Sequence, residues 1–484
     1  MEYFRYTHWV QNLIYAKRAS FAKIVSDKTQ QKSKGEALMS SLSNSTFTFK
    51  SFCDVDFSGG DLSSNCGLLF MGEFMKRLGL LEYIIENFRT DNVLHREHSD
   101  DSILLQLIYQ NFAGYFTDDN ADHLAHEPIL TTLLGKKRLA SQPTISRYWK
   151  RCYALSEIKL NLILKYLRER AYKVYTPFET IFDMDTTILN TFGKQEGAEY
   201  IYHYQAVGYH PLICYDGNNG DLLKAELREG NMYCGNGAAE FIRHLLEEYK
   251  EKYPQTKILV RGDSGFAMPD LYSCVEGFPN ARYVIRLKDN SVLQKNVKDR
   301  VASFMEESTG KSESPDPVYG EFLYAAESWE RERRVVFKIE LHKSEGSNEL
   351  FPTCTFIVTN REDTPEEIVK LYCKRGNMEN FIKESKNSFN FKHMSSRDMV
   401  TNENRLMVAA IAYSIFNIFR RICLPEKWKK FRADEIRMRL LHIAGRHVFH
   451  AKKKFFRLCS TYPYKEQFSY ILCKINELDM LVAT

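Results

Sequence analysis

The chain has 484 residues, of which 44% are hydrophobic and 27% charged, and its formal net charge at pH 7 is +5. The length predicts about two or three domains, each with its own core, and the composition excludes a fibrous or a wholly disordered chain. The longest apolar run, 408–419, is too short to span a bilayer, and the N-terminus lacks the pattern of a secretory signal, so we expect no membrane partner.

The eleven cysteines are scattered, without a C-x-x-C pair or a Cys/His cluster at zinc-ligand spacing. They are typical of thiols in a reducing cytoplasm. Several basic clusters are interleaved with aromatic residues, as on a phosphate-binding surface, although each taken singly is more often solvated surface. They lie at 136–138, 331–334, 420–421, 427–432 and 452–454.

The N-terminal part of the chain predicts helices. Residues 1–45 are polar and predict a loosely packed extension, whereas 67–80, 102–113 and 154–172 show helical periodicity. Residues 139–150 (LASQPTISRYWK) predict a short helix that starts at Ser141 and presents Arg147 and Lys150 outward. This helix suits the recognition helix of a helix-turn-helix, and equally the polar face of an all-helical domain.

The centre of the chain predicts a mixed α/β unit with acids on its strands. The buried strand 180–189 carries Asp183 and Asp185 on one face, because side chains alternate with period two. The strand 257–260 runs directly into Asp263, where open α/β sheets bind ligands. A structural alternative exists for each acid, since backbone N–H groups can hold a strand-end aspartate and Asp263 can be a turn residue that caps the next helix at Met268. Segments 318–327, 334–342 and 353–359 predict three antiparallel strands.

Residues 364–386 (TPEEIVKLYCKRGNMENFIKESK) predict one amphipathic helix, opened by a capping box between Thr364 and Glu367. At about 100° per residue, one face gathers a phenol, two cations and a carboxylate within an arc of about 60°. These residues are Tyr372, Arg375, Glu379 and Lys386. Taken alone, the pattern is more simply explained by a solvated face with an Arg375–Glu379 pair.

Together these motifs resemble the signature of bacterial insertion-sequence DDE transposases, in the hairpin-forming Y-R-E-K subgroup with a β-strand insertion. The D-[ST]-T element is matched by 185–187, the second-acid element by 261–266, and Y-x2-R-x3-E-x6-K by 372–386. Residues 195–197 and 227–231 are also similar, and the resemblance covers 46–425. It implies an α/β fold with an RNase H-like mixed-sheet catalytic core, a helical N-terminal DNA-binding domain and a helical C-terminal region.

The resemblance also implies how the chain is divided. The predicted divisions are a polar extension at 1–45, a helical DNA-end-binding domain at 46–175, the first part of the core at 176–292, a β-rich insertion at 293–363, the second part of the core at 364–425, and a basic helical region at 426–484.

By the same resemblance, Asp185, Asp263 and Glu379 are the catalytic acids and the ligands of two Mg²⁺ ions, for which Mn²⁺ would substitute. Asp185 is preferred as the first acid because it directly precedes a threonine, and Asp183 would support it. The residues implied to hold DNA phosphates are Tyr372, Arg375 and Lys386.

Relatives in this subgroup stack a flipped base on an aromatic residue of the insertion. Trp329, beside Arg331 and Arg333, would supply that platform by stacking. A tryptophan packed in the insertion's own small core explains the residue at least as well.

The sequence therefore predicts a cut-and-paste transposase that cleaves and joins double-stranded DNA at terminal inverted repeats and at a target site. We expect it to act as a homodimer on DNA, in the bacterial cytoplasm at the nucleoid. Two alternatives differ in class: a decayed relative that binds DNA without cutting it, and a plain metal-dependent nuclease.

Overall fold

The computed structural model describes residues 46–93, 95–308, 316–343, 350–450 and 453–482. The extension predicted at 1–45 lies outside the described residues. The described residues form two compact units, one within 46–64 and 444–458, the other within 65–443 and 459–482. All the predicted catalytic residues belong to the second unit.

The strands of the described residues, in chain order, are β1 (Phe47–Phe49), β2 (Cys53–Val55), β3 (Leu62–Ser63), β4 (Glu179–Thr186), β5 (Leu189–Asn190), β6 (Glu199–Ile201), β7 (Ala206–Tyr209), β8 (Leu212–Asp216), β9 (Leu222–Glu226), β10 (Lys257–Gly262), β11 (Ala281–Leu287), β12 (Val318–Tyr324), β13 (Arg333–Lys343), β14 (Leu350–Thr359), β15 (Gly445–His450) and β16 (Lys453–Leu458).

The α-helices, in chain order, are α1 (Leu68–Arg77), α2 (Leu80–Asn87), α3 (Asp100–Ala113), α4 (Asn120–His123), α5 (Pro128–Leu133), α6 (Gln142–Trp149), α7 (Ala154–Val174), α8 (Ala238–Lys252), α9 (Pro269–Glu276), α10 (Ser291–Ser308), α11 (Pro365–Cys373), α12 (Asn377–Ser388), α13 (Met399–Cys423), α14 (Glu426–Lys429), α15 (Ala433–Ile436) and α16 (Lys465–Val482). Short 3₁₀ turns lie at Ser264–Phe266 and Lys374–Gly376, and a π-helical turn at Arg437–Leu441.

The central sheet has eight strands in the order β12-β13-β14-β11-β10-β4-β8-β9. Strands β4, β10 and β11 run parallel, and β8 is antiparallel to both β4 and β9. The five core strands of this sheet are, in chain order, β4, β8, β9, β10 and β11. Numbered 1 to 5, they lie in the order 3-2-1-4-5, and strand 2 is antiparallel to its neighbours. This is the RNase H-like arrangement, so the predicted fold class is confirmed.

The three strands predicted at 318–359 are confirmed, and they extend the central sheet instead of forming a sheet of their own. Strand β14 pairs with β13 on one side and with β11 on the other, where Val284 lies opposite Thr359. The apolar side chains of Val336 and Ile357 join a buried cluster with Ile181 and Val284 of the core strands. Burial of this shared cluster explains why the insertion is fused to the core.

The helices predicted before the first acid are confirmed by α1, α3 and α7, and Ser141 precedes α6 as expected. Helix α13 is long and apolar enough to cross a membrane by composition, but 83% of its most apolar window is buried inside the protein, where it packs against α3 and α7. It is the central core helix of its unit.

The C-terminal region predicted as helical is only partly so. Helix α16 fits the prediction, but β15 and β16 form an antiparallel hairpin in the first unit, with Val448 opposite Phe455. The error has a local cause, because aromatic and β-branched residues alternating with polar ones favour a strand over a helix. In the same unit, β15 also pairs with β3, and β1 pairs with β2.

Candidate active site

Asp185 and Asp263 lie at the same edge of the central sheet. Strands β4 and β10 are parallel neighbours with Asp183 opposite Arg261, so the next residues on that face, two positions further along each strand, are Asp185 and Asp263. Side chains that alternate with period two share a face at such spacing. The two carboxylates therefore repel each other across adjacent strand ends.

Asp185 is mostly withdrawn from solvent, with 18% of its side chain exposed. One carboxylate oxygen accepts a hydrogen bond from the Thr186 N–H at 2.8 Å, and the other lies 3.0 Å from Nη2 of Arg375. Burial raises the pKa of Asp185 to about 6, with Asp263 adding to the rise and Arg375 opposing it. The site thus holds a carboxylate whose ionisation depends on a nearby positive charge.

Asp263 begins a 3₁₀ turn directly after β10. Its Oδ1 accepts a hydrogen bond from the Gly265 N–H at 2.8 Å. Asp263 thus caps this turn and not the helix that follows Met268, and the bond fixes its carboxylate at the strand end beside Asp185. Capping one oxygen is compatible with a catalytic role for the group.

Asp183 occupies a different environment from Asp185, although both lie on the same face of β4. It is fully buried and makes two hydrogen bonds, of 2.6 and 2.5 Å, with the fully buried guanidinium of Arg261. Arg261 also donates from Nη1 to the Leu371 carbonyl at 2.7 Å. Burial raises the pKa of Asp183 and its partner opposes the rise. The Asp183–Arg261 pair therefore joins β4 to β10, and Arg261 joins both to α11. The side chain that supports Asp185 is Arg375, and not Asp183 as the sequence predicted.

The helix predicted at 364–386 is two helices. Its capping box is confirmed: the Thr364 N–H donates to the Glu367 carboxylate at 3.0 Å, and the Glu367 N–H donates to Thr364 Oγ1 at 3.4 Å. After Cys373, however, the 3₁₀ turn Lys374–Gly376 separates α11 from α12. The prediction of one continuous helix face is wrong, because the turn directs Arg375 to Asp185 and to the Met184 carbonyl, 3.2 Å away.

Tyr372 lies near the end of α11 and close to Asp263. Its ring packs against the buried cluster of core strands. Burial raises the pKa of Tyr372, Arg375 and Arg286 oppose the rise, and Asp263 adds to it. The Tyr372 hydroxyl therefore lies close enough to the Asp263 carboxylate and to the guanidinium groups of Arg375 and Arg286 for their charges to act on its pKa.

Sequence reasoning missed two residues at this edge. Arg286 is exposed near the carboxyl end of β11, and its place on a strand parallel to β4 and β10 was the signal that could have identified it. Tyr204 follows β6, and its pKa is raised to about 12 by burial and then by Asp185 and Asp263. The sequence carries no signal for Tyr204, because a turn between two short strands brings it there.

Glu379 lies apart from the two aspartates. Its side chain is 68% exposed and its carboxylate lies 3.4 Å from Nζ of Lys383, one turn along α12. Over the part of the chain that the structure describes, no group of three or more carboxylate, histidine or cysteine side chains is close enough to hold a metal ion. The structure therefore assembles two of the three predicted acids.

Lys386 connects α12 with the loop that follows Asp185. Its Nζ donates to the Ile188 carbonyl at 2.7 Å and to Thr187 Oγ1 at 3.2 Å. Burial lowers the pKa of Lys386, and Lys392 lowers it further. These bonds hold the helix that carries Glu379 beside the strand end of the first acid.

The predicted DNA contacts in the N-terminal helices are exposed. Arg147 and Lys150 are both on the surface at the end of α6, and Arg147 donates to Thr144 Oγ1 at 3.1 Å. Both cations are therefore presented outward, as the sequence predicted. Their contact with DNA stays a prediction.

Trp329 and its neighbouring arginines have partners within the protein. The Trp329 ring meets Tyr272 and Tyr324 edge to face, each with ring centroids 5.3 Å apart. Arg333 is buried, pairs with Glu276 at 3.0 Å, and lies 5.5 Å from the Trp329 ring centroid. Arg331 also pairs with Glu276. These contacts are those expected of a tryptophan packed inside the protein. The stacking of a flipped DNA base on Trp329 stays a hypothesis.

Comparison with known proteins gives a family match over most of the chain: the transposase DDE domain, group 1, matches residues 46–480. No curated protein sequence matches. Among solved structures, the fold is similar to a cryo-EM structure of the piggyBac transposase synaptic complex with hairpin DNA. That similarity has a TM-score of 0.40 at 11% sequence identity, and covers 78% of this chain and 80% of that one.

Proposed function

Because the chain belongs to the transposase DDE domain group 1 family, we propose that it performs cut-and-paste DNA transposition with Asp185, Asp263 and Glu379 as its catalytic acids. The observation that carries the proposal is the pair of aspartates at the ends of adjacent parallel strands, the first with a pKa of about 6. Perturbed carboxyl groups that converge at a strand edge are typical of catalytic sites. The substrate is double-stranded DNA, at terminal inverted repeats and at the target.

The donor set fits divalent cations. Asp185 and Asp263 offer hard oxygen ligands, which Mg²⁺ and Mn²⁺ prefer, and their mutual repulsion is relieved by positive charge. Glu379 would complete the set from α12. Two cations bound there would activate a water or a DNA 3′-OH and stabilise the leaving oxygen of an in-line displacement at phosphorus.

The protein's own residues prepare these acids. Arg375 balances the charge of Asp185, and its guanidinium, held beside the acids, would grip a DNA phosphate there. Lys386 keeps α12 beside the end of β4, and the Gly265 N–H fixes Asp263. The charges of both Asp263 and Arg286 act on Tyr372, and Tyr372 and Arg286 would position the DNA backbone near the acids.

Strand cleavage of a labelled duplex that carries the element's own end, recovered from DNA flanking the gene, tests the proposal. It is measured with Mg²⁺ or Mn²⁺ for wild type, Asp185→Asn, Asp263→Asn and Glu379→Gln. Each variant is expected to lose at least about 100-fold in cleavage rate, because even groups that only orient metal ligands contribute about 10–100-fold, while DNA binding persists.

Glu366→Gln is the matched control for Glu379→Gln. Glu366 is also exposed and pairs with a lysine one turn away, Lys370, at 2.8 Å. Cleavage that survives Glu366→Gln but not Glu379→Gln would assign the third acid. Specific binding without cutting under either metal would instead favour a decayed relative that only binds DNA, and cleavage indifferent to the end sequence would favour a plain nuclease.

Finer parts of the proposal rest on the motif resemblance. They are membership of the hairpin-forming Y-R-E-K subgroup, end recognition through Arg147 and Lys150, a homodimer on DNA, and action in the bacterial cytoplasm. The mass of the complex with an end duplex, measured by light scattering, tests the dimer. Two protein chains per complex are expected, and a complex that contains a single protein chain at all concentrations would contradict the dimer.

A further inference from the structure

A basic cavity of about 670 Å³ lies between α12, the last turns of α13 and residues 429–432. The cationic residues that line it are Lys383, Arg420, Arg421, Lys429, Lys430 and Arg432. Of the described lining residues, Glu384 alone is acidic. The cavity belongs to the same unit as the acids, but it contains none of them.

Four of these cations are neutralised by carboxylates. Arg420 pairs with Glu384 at 2.9 Å, Arg421 with Asp221 at 2.6 Å, Lys429 with Glu426 at 2.5 Å and Lys383 with Glu379 at 3.4 Å. Lys430 and Arg432 are exposed and have no ion-pair partner among the described residues. The cavity therefore keeps an excess of two positive charges for an anion from outside the chain.

The wall that carries these two cations is held in place by Glu384. Its two oxygens accept hydrogen bonds from Arg420, and one of them also accepts from the Ala433 N–H at 2.8 Å. Arg420 in turn donates to the Phe431 carbonyl at 3.3 Å. Residues 431–433 are thereby fixed to α12 and α13, so Lys430 and Arg432 bind an anion without first ordering their backbone.

The cavity adjoins the face of α12 that carries the third acid. Lys383 lines it and lies four residues after Glu379, which is about 6 Å along the helix and about 40° around it. That rise equals about two nucleotides of one DNA strand at roughly 3.4 Å each. A DNA strand with a phosphate at Glu379 would reach the cavity within a few nucleotides.

We propose that this cavity is a second DNA-backbone site, in which Lys430 and Arg432 bind phosphates of the strand that continues from the acids. The inference rests on the proposed transposase function, because it needs a DNA strand at Asp185 and Asp263. Phosphodiester oxygens suit the site, since an arginine grips them with its fork and a lysine adds a point charge. The cavity is also far larger than a single phosphate requires.

The test is the salt dependence of DNA binding by the Lys430→Gln, Arg432→Gln double variant. Each lost phosphate contact lowers the slope of log K against log salt by about 0.9, so the double variant is expected to lose about 1.8. At 0.1 M salt this corresponds to about 60-fold weaker binding. The control is Lys295→Gln with Lys298→Gln, which removes the same charge from exposed lysines of α10, outside the cavity and outside the basic clusters, and should keep the wild-type slope.

The outcomes separate this inference from the proposed function. An unchanged slope in the double variant, or an equal loss in the control, overturns the inference, while metal-dependent cleavage by wild type would leave the proposed function standing. Wild type that neither binds nor cuts DNA would refute both. Circular dichroism of each variant excludes misfolding, and the side chains changed are all exposed.

Discussion

Asp183 and Asp185 are two residues apart on one face of β4, and the structure predicts opposite results for the same substitution at the two positions. Asp183 pairs with Arg261, and both side chains are fully buried. Asparagine at 183 leaves the guanidinium charge buried without its counter-charge. Removal of one partner of a buried ion pair costs about 3–5 kcal/mol in free energy of unfolding.

Asp185→Asn is expected to keep or increase stability while cleavage is lost. Folding raises the pKa of Asp185 from 3.8 to about 6, so at pH 7 the folded state holds a charge that its surroundings disfavour. This shift corresponds to at most about 3 kcal/mol, which neutralisation at 185 would recover. The group whose loss destabilises the fold is thus not the group whose loss stops the reaction.

Urea unfolding in metal-free buffer, followed by circular dichroism, measures the free energies of unfolding, and end cleavage is measured on the same preparations. In the Asp183→Asn, Arg261→Met double variant both charges are removed, so most of the lost stability should return. The reasoning is refuted if Asp183→Asn is as stable as wild type. It is equally refuted if Asp185→Asn loses several kcal/mol.

Three further predictions concern packing and protonation. Gly217→Ala should destabilise the fold by about 1–3 kcal/mol in urea unfolding, because a Cβ at Gly217 would overlap the carboxylate of Asp183. Burial and the charge of Glu157 raise the pKa of Glu403 from 4.5 to about 8, so the folded state keeps a proton that the unfolded state releases. Stability should therefore fall by up to about 1.4 kcal/mol per pH unit as pH rises from 5 to 8, and Glu403→Gln should flatten this slope in urea unfolding at several pH values. Trp329→Ala should spare first-strand nicking but weaken hairpin formation if the ring stacks on a DNA base, whereas a packing role predicts lower stability and equal loss of both steps.

Controls are available for each of these. Gly193→Ala places a methyl group in open space, so a comparable loss there would contradict the overlap argument at Gly217. A pH slope in Glu403→Gln as steep as in wild type would assign the titration to another group. Trp329→Phe keeps an aromatic ring between Tyr272 and Tyr324 and should restore stability if the role is packing.

The elements that the sequence predicted well are those set by local rules. The apolar strands β4 and β10, their terminal aspartates and the Thr364–Glu367 capping box follow from alternation and spacing within a few residues. The three strands after the second acid were predicted for the same reason. Their attachment to β11 was not, because strand pairing across long separations is not encoded in any single segment.

The sequence predicted which residues belong to the candidate site, but it did not predict which of them contact one another. The partner of Asp183 is Arg261, 78 residues away, and no local pattern links the two. Helical periodicity predicted one regular α-helix over 364–386, but a 3₁₀ turn at Lys374–Gly376 changes the winding between α11 and α12, and Arg375 in that turn pairs with Asp185. Neither the turn nor this tertiary ion pair follows from helical periodicity.

The fusion of the insertion to the sheet constrains the order in which the chain can fold. In the completed sheet β11 is covered on its outer side by β14, yet β14 is synthesised only when residue 359 has been made. Until then the half-sheet that carries both aspartates exposes an unpaired edge, which is open to pairing with other chains. The strands of the insertion therefore cover the edge of the core sheet at β11. A chain from which 293–363 had been deleted would leave that edge of β11 unpaired permanently.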